Sequence, residues 1–193
     1  KVEEKIKLFN KLKNEVKEDY EYWSKYMEDN LDFWHKKTSI HGKKHVKRVL
    51  LYGLIICKYM GVSEREKNAF SMAAIFHDTR RNNDGIDIDH GFRAAEYYMQ
   101  YTYDKENDLV FDSRSYYAIK YHVLDDLIGI RAINENFKGK ERDSAYLVYS
   151  IMKDADGLDR IRLGEDWLDP SYLRNSVSIE MIDFCREYLR NDI

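Results

Sequence analysis

The chain has 193 residues, 44% hydrophobic and 14% aromatic, a composition that excludes disorder and suffices for one domain with a substantial core. Its net charge of −3 supplies no electrostatic footprint for nucleic acid or an anionic membrane, so neither is expected as a partner. With nine glycines and one proline, Pro170, helices are favoured over strands and turns.

Residues 2–28 are expected to form one amphipathic helix, because Val2, Ile6, Phe9, Leu12, Val16, Tyr20 and Trp23 recur at steps of three and four. A short aromatic helix is expected over 30–36, "NLDFWHK". Thr38 or Ser39 can cap the next helix, which runs to about residue 60 with Gly61 after its end. Its apolar run "VLLYGLIIC" stops at Lys58 and reaches about half of a membrane span. Ser63 and Glu66 have the spacing of a capping box for "SEREKNAFSMAAIFHD", a helix that Asp78 ends. A polar loop with a "DG" turn follows.

Further helices are expected over 90–103, 113–127, 141–164 and about 171–190, and no stretch alternates with period two for long enough to make a sheet. An all-α, single-domain bundle over 1–193 is therefore expected. Cys57 and Cys185 both lie in apolar helical patterns, as buried thiols in a reducing cytoplasm would. No signal peptide is legible, so a cytoplasmic location is expected. The sixteen tyrosines could line a base pocket or a homo-oligomer interface, although such residues most often pack along amphipathic helices.

Five of the six histidines, His35, His41, His45, His77, His90 and His122, lie at helix starts, helix ends or apolar faces. His41 and His45 are four apart and share a helical face, with Arg48 three further on. His77 and Asp78 are adjacent and cannot share a face, so they converge only where the helix ends and the chain turns. A cation between imidazoles and carboxylates would remove the penalty for burying them. Mixed nitrogen and oxygen donors suit a first-row divalent ion better than calcium. Neither cysteine is placed for a structural zinc site. His35 is expected to have a structural or surface role.

Three stretches, "HGKKHVKRV" (41–49), "AIFHDTRR" (74–81) and "KDADGLDRIRLG" (153–164), together resemble the HD superfamily of metal-dependent phosphohydrolases, whose pattern is H…HD…D on a helical bundle. The resemblance spans about two thirds of the chain. It implies His45, His77, Asp78 and Asp156 as metal ligands. "DAD" also offers Asp154, which the family pattern favours less. His90 and His122 would bind a second metal or contact the phosphate. The metal could be Mn, Co, Ni, Fe, Mg or Zn. It would activate water to cleave a phosphoester or phosphoanhydride bond in a nucleotide-like small molecule.

Positive charge is needed around the substrate oxygens, and His41, Lys44, Arg48, Arg81 and Arg160 are candidates. Asp126 and Asp159 could orient water or a ligand histidine. The "HDxGK" and "GYP" text of the cyclic-dinucleotide class is missing, and "ADGLDRIR" departs from alarmone hydrolases at Gly157 and Asp159. Two alternatives stand beside the hydrolase. A di-iron oxygenase of similar fold uses four histidines and two aspartates, a count that this chain matches. The other is a non-catalytic module that binds a nucleotide.

Overall fold

The computed structural model describes residues 1–36 and 42–192. Thr38, Ser39 and His41, two expected cap residues and a candidate site residue, lie outside the described residues. Among the described residues ten α-helices follow in order: α1 (Val2–Glu15), α2 (Lys17–Asn30), α3 (Lys43–Met60), α4 (Glu64–Phe76), α5 (His90–Tyr103), α6 (Ser113–Tyr121), α7 (Asp126–Asn136), α8 (Gly139–Leu158), α9 (Ser176–Glu180) and α10 (Ile182–Asp192). Short 3₁₀ turns at Asp159–Leu163, Glu165–Trp167 and Pro170–Tyr172 join α8 to α9, and no strand occurs among the described residues. None of the described helices is long and apolar enough to cross a membrane.

The centre of the bundle is α3. Its residues from Val46 to Cys57, apart from Lys47 and the nearly buried Arg48, carry apolar side chains or none, and all are buried. A helix apolar on every side has to be surrounded. Accordingly α1, α2, α4 and α8 all pack on it. Gly61 ends α3 with φ +65°, a conformation that glycine adopts without strain. Ser63 and Glu66 form the reciprocal capping box that starts α4. Both cysteines are buried free thiols.

Five expected elements differ, and of these the helix expected over 141–164 is α-helical only from Gly139 to Leu158, with Asp159–Leu163 tightened into a 3₁₀ turn. The first helix breaks at Val16 (φ −97°, ψ 6°) into α1 and α2, with Val16 buried at the joint. Residues 31–36 form an extended strap instead of a helix. Leu31 and Phe33 are buried beneath it, the Trp34 amide donates to the Thr79 carbonyl, and Arg80 donates to the Asp32 carbonyl. The helix expected over 113–127 stops at His122, because Asp125 caps a separate helix, α7, through the Leu127 amide. The helix expected over 171–190 is broken into a 3₁₀ turn, α9 and α10. Buried Asp154 pulls this segment inward by accepting from the Arg174 and Asn175 amides and the Ser178 hydroxyl.

One close contact places two candidate site residues. At Gly91, α5 crosses the end of α6 so closely that an added Cβ would lie 2.8 Å from the Lys120 carbonyl oxygen and 2.9 Å from that of Ile119. These are backbone atoms and cannot swing aside, so the crossing depends on the missing side chain. It seats His90 against His122. Gly91→Ala is therefore expected to destabilise the fold by about 1–3 kcal/mol, read as a lower midpoint in urea unfolding.

Candidate metal centre

Five segments deliver the polar cluster. His45 projects from the first turn of α3. Helix α4 ends at Phe76, and the turn that follows carries His77 and Asp78. His90 begins α5, His122 caps α6, and Asp156 lies in the last turn of α8. His45, His77, Asp78, His90 and His122 are buried, whereas the Asp156 side chain is 30% exposed. The structure thus brings the four residues expected as ligands together with the two additional histidines.

The imidazoles share one orientation, set by their hydrogen bonds. The Nδ1 atoms of His77, His90 and His122 each lie 2.6 Å from a carbonyl oxygen three residues earlier, those of Ala74, Asp87 and Ile119. A carbonyl only accepts, so each Nδ1 carries the hydrogen and a neutral ring presents a bare lone pair at Nε2. His45 points the same way, with Nδ1 donating to Asp159 Oδ2 at 2.7 Å.

Every Nε2 therefore faces the carboxylates. From His45 Nε2, Asp156 Oδ1 is 3.2 Å and Asp78 Oδ2 is 3.4 Å away. Asp78 Oδ1 is 3.0 Å from His90 Nε2, which is itself 3.0 Å from His122 Nε2. His77 Nε2 is buried and has no hydrogen-bond partner among the described residues, with carboxylate oxygens at 3.7 and 3.8 Å.

Lone pairs and carboxylates cannot face one another in a dry interior unless positive charge lies between them. The donor set therefore fits a cation. Three overlapping triads, His45–His77–Asp78, His77–His122–Asp156 and Asp78–His90–His122, have ligand atoms within 4.8 Å of one another.

The titration behaviour agrees with this charge distribution. Burial and nearby Arg162 work against a charge on His45, but hydrogen bonds to Asp156, Asp159 and Asp78 outweigh them and push its pKa up to about 10. Burial holds His77 at about 4, hence neutral, although Asp78 and Asp156 pull the other way. Burial opposes the charge of Asp78, yet the surrounding histidines hold its carboxyl well below the usual range.

Around the centre, the candidates separate by position. Asp159 is buried beside His45 and also accepts from Arg48 Nε at 2.8 Å, and Arg48 continues to Asp192 at 3.0 Å. Arg48 thus lies inside the bundle and fixes Asp159, so its geometry does not match the expected phosphate contact. Arg81 points Nε at Asp78 Oδ1 from 3.6 Å, while its Nη1 donates to the carbonyls of Asn83 and Gly85. Lys44 is on the exposed side of α3. Asp154 faces away, with its oxygens taken by residues 174–178. Asp126 pairs with Arg174 and Lys153 and does not reach the histidines. His35 lies outside the cluster, 3.3 Å from Asp84.

An open cleft of about 290 Å³ reaches the centre from one side, lined by His122, Asp156, Arg160, Trp167, Tyr172 and Arg174 among others. Sequence patterns flagged Arg160 but missed the two aromatic residues and Arg174. These lie in non-helical connections, where no periodicity marks a face. No family model matches the chain, and neither a curated protein nor a solved structure matches it.

Two outcomes follow from the His45 environment. In the ion-free protein His45 is protonated up to a pH of about 10. Loading a divalent ion near neutral pH should displace that proton and release about one per site, fading as the pH rises through the same value. Calorimetric titration in buffers of different ionisation enthalpy measures the release. Asp159→Asn keeps the shape but weakens the acceptor behind Nδ1, and should lower ion affinity by about 10–100-fold in a competition assay with a chelating dye.

Proposed function

We infer that the chain is a divalent-metal-dependent phosphohydrolase, cleaving a phosphoester or phosphoanhydride bond in a nucleotide-like small molecule. The observation that carries this is the convergence of four imidazole Nε2 atoms and two carboxylates at the floor of an open cleft. The resemblance of 41–164 to the HD superfamily supplies the reaction class, and the geometry is compatible with an HD-type helical bundle.

His45, His77, Asp78 and Asp156 would hold one ion. Asp78 also belongs to the triad with His90 and His122, so a second ion could share its carboxylate. When bound, such an ion acidifies a water and polarises a phosphoryl oxygen. The chain's own groups then have separate tasks. Asp159 keeps the His45 ring turned so that Nε2 faces inward. Partly exposed Asp156 stands where the cleft meets the centre and can hold a water or take a proton. Arg160 offers a guanidinium on the cleft wall for a substrate oxygen. His122 also lines the cleft and can orient the leaving group.

The four-histidine, two-aspartate set is also what the oxygenase alternative requires, so the same experiment must separate the two. Purified protein is loaded in turn with Mn²⁺, Co²⁺, Ni²⁺, Mg²⁺ and Fe²⁺ and tested against phosphoesters and nucleotides, with phosphate release and oxygen uptake both recorded. Phosphate release without oxygen uptake is expected. His77→Ala and Asp78→Ala should abolish turnover and lower bound metal by elemental analysis, whereas His90→Ala should keep one tight ion and lose a weaker one. Oxygen uptake with Fe²⁺, or full turnover by a metal-free variant, would overturn the assignment.

A further inference from the structure

The cleft beside Asp156 carries more than the metal centre needs. Trp167 and Tyr172 stand on its wall with 55% and 72% of their surfaces exposed. The position of Trp167 is nevertheless fixed. Its amide donates to the Gly164 carbonyl, its own carbonyl accepts from Arg160 Nε at 2.9 Å, and the Arg160 guanidinium lies over the indole at 5.6 Å. Gly164 makes this turn with φ +136°, and a Cβ there would come within 3.0 Å of the indole Cδ1. A held, half-exposed indole backed by a guanidinium offers a flat face for another ring.

The charges on that wall are unequal. Arg174 is committed to Asp126 and Asp154, and Lys153 to Asp126. Arg160 has an indole and a carbonyl for partners, and no carboxylate among the described residues. The cleft therefore presents a guanidinium that pairs with no carboxylate among the described residues beside an aromatic face, with Asp169, bonded to the Ser171 amide and hydroxyl, also on its lining and the His/Asp cluster at its floor. With a cation held at the cluster, that combination favours a ligand that is both anionic and planar. The volume of about 290 Å³ falls at the low end of small-molecule pockets, roughly 300–1,000 Å³, and suits a single ring unit.

We propose that Trp167, Tyr172 and Arg160 form a stacking subsite for the leaving group of the substrate, a phosphate ester whose departing half carries one planar aromatic ring. The hydrolase assignment enters only in placing the phosphoryl group at the cluster. A nucleobase and a simple aryl group share this chemistry, and the probes separate them.

The test uses the full chain loaded with Mn²⁺ and three phosphonates that cannot be hydrolysed: ethylphosphonate, benzylphosphonate and the methylene phosphonate analogue of adenosine 5′-monophosphate. Affinities are measured by calorimetry. At least one aromatic probe should bind about tenfold tighter than ethylphosphonate or better, the size of one base–aromatic stack. Trp167→Leu should collapse that ratio to about threefold or less with bound metal unchanged, and Trp167→Phe should retain most of it. Preference for benzylphosphonate assigns a general aryl face, and preference for the adenosine analogue alone assigns a nucleobase face.

Equal affinity for all three probes, no binding of any, or a ratio that survives Trp167→Leu overturns the subsite. Aromatic preference in a protein that turns over no phosphoester with any metal would remove the hydrolase assignment and leave the subsite standing. Turnover without aromatic preference would do the reverse.

Discussion

The structure depends on a repulsion that the protein alone does not relieve. Three imidazoles have their Nδ1 hydrogens committed to backbone carbonyls, so their lone pairs point inward toward Asp78 and Asp156. The Nε2 atoms of His90 and His122 lie 3.0 Å apart, a distance that calls for a proton or a cation between them. Burying carboxylates and lone pairs face to face costs several kcal/mol unless protons or metal ions lie between them. Without an ion, the proton on His45 takes part of that role. An ion held there would couple binding to folding through the same few atoms.

The helices are arranged to produce this convergence and to fix its direction. The same local device occurs three times: a histidine at a helix end bonds the carbonyl three residues back, which sets its tautomer without a dedicated side chain. His77 and His122 use the last turns of α4 and α6, where carbonyls lack helical partners. His90 uses the Asp87 carbonyl just before α5. His45, in the first turn of α3, uses Asp159 instead, and the carbonyl three residues before it, that of Gly42, accepts from the Val46 amide. This explains why one acid beside the cluster is wholly buried while Asp156 stays in reach of solvent.

What the sequence made legible was local. The box at Ser63, the stop at Gly61, the start at His90 and the ending of a helix at His77 and Asp78 are governed by neighbours within a turn, and the periodicity of α3 and α4 marked the core. The strap at 31–36 and the break at residues 173–175 answer to partners tens of residues away, Thr79, Arg80 and Asp154, whereas the break at His122 comes from Asp125 capping a separate helix. Arg48 illustrates the same limit within the site. Its spacing correctly put it on the face of His45, but spacing cannot tell that Asp159 and Asp192 would enclose it. The cleft wall was illegible for a further reason: Trp167 and Tyr172 sit in 3₁₀ turns held by a glycine and an arginine, and no repeat announces them.

Charge balance ties the centre to the cleft. Asp78, Asp156, Asp159 and Asp192 bring four negative charges, and Arg48, Arg81 and Arg162 stand around them with three positive ones. On the proposed assignment an ion at the cluster would tip this balance toward positive inside a largely dry interior, and the side open to solvent is the one where Asp156 meets the cleft. Field lines from such a charge emerge where the low-dielectric walls end. On the proposed assignment, an ion-loaded centre attracts an anion through that opening, and Arg160 extends the same polarity along the wall. The arrangement favours a phosphorylated ligand before any contact specific to its other half is made. On the same assignment, recognition of that other half falls to Trp167 and Tyr172, with the Arg160 guanidinium over the indole.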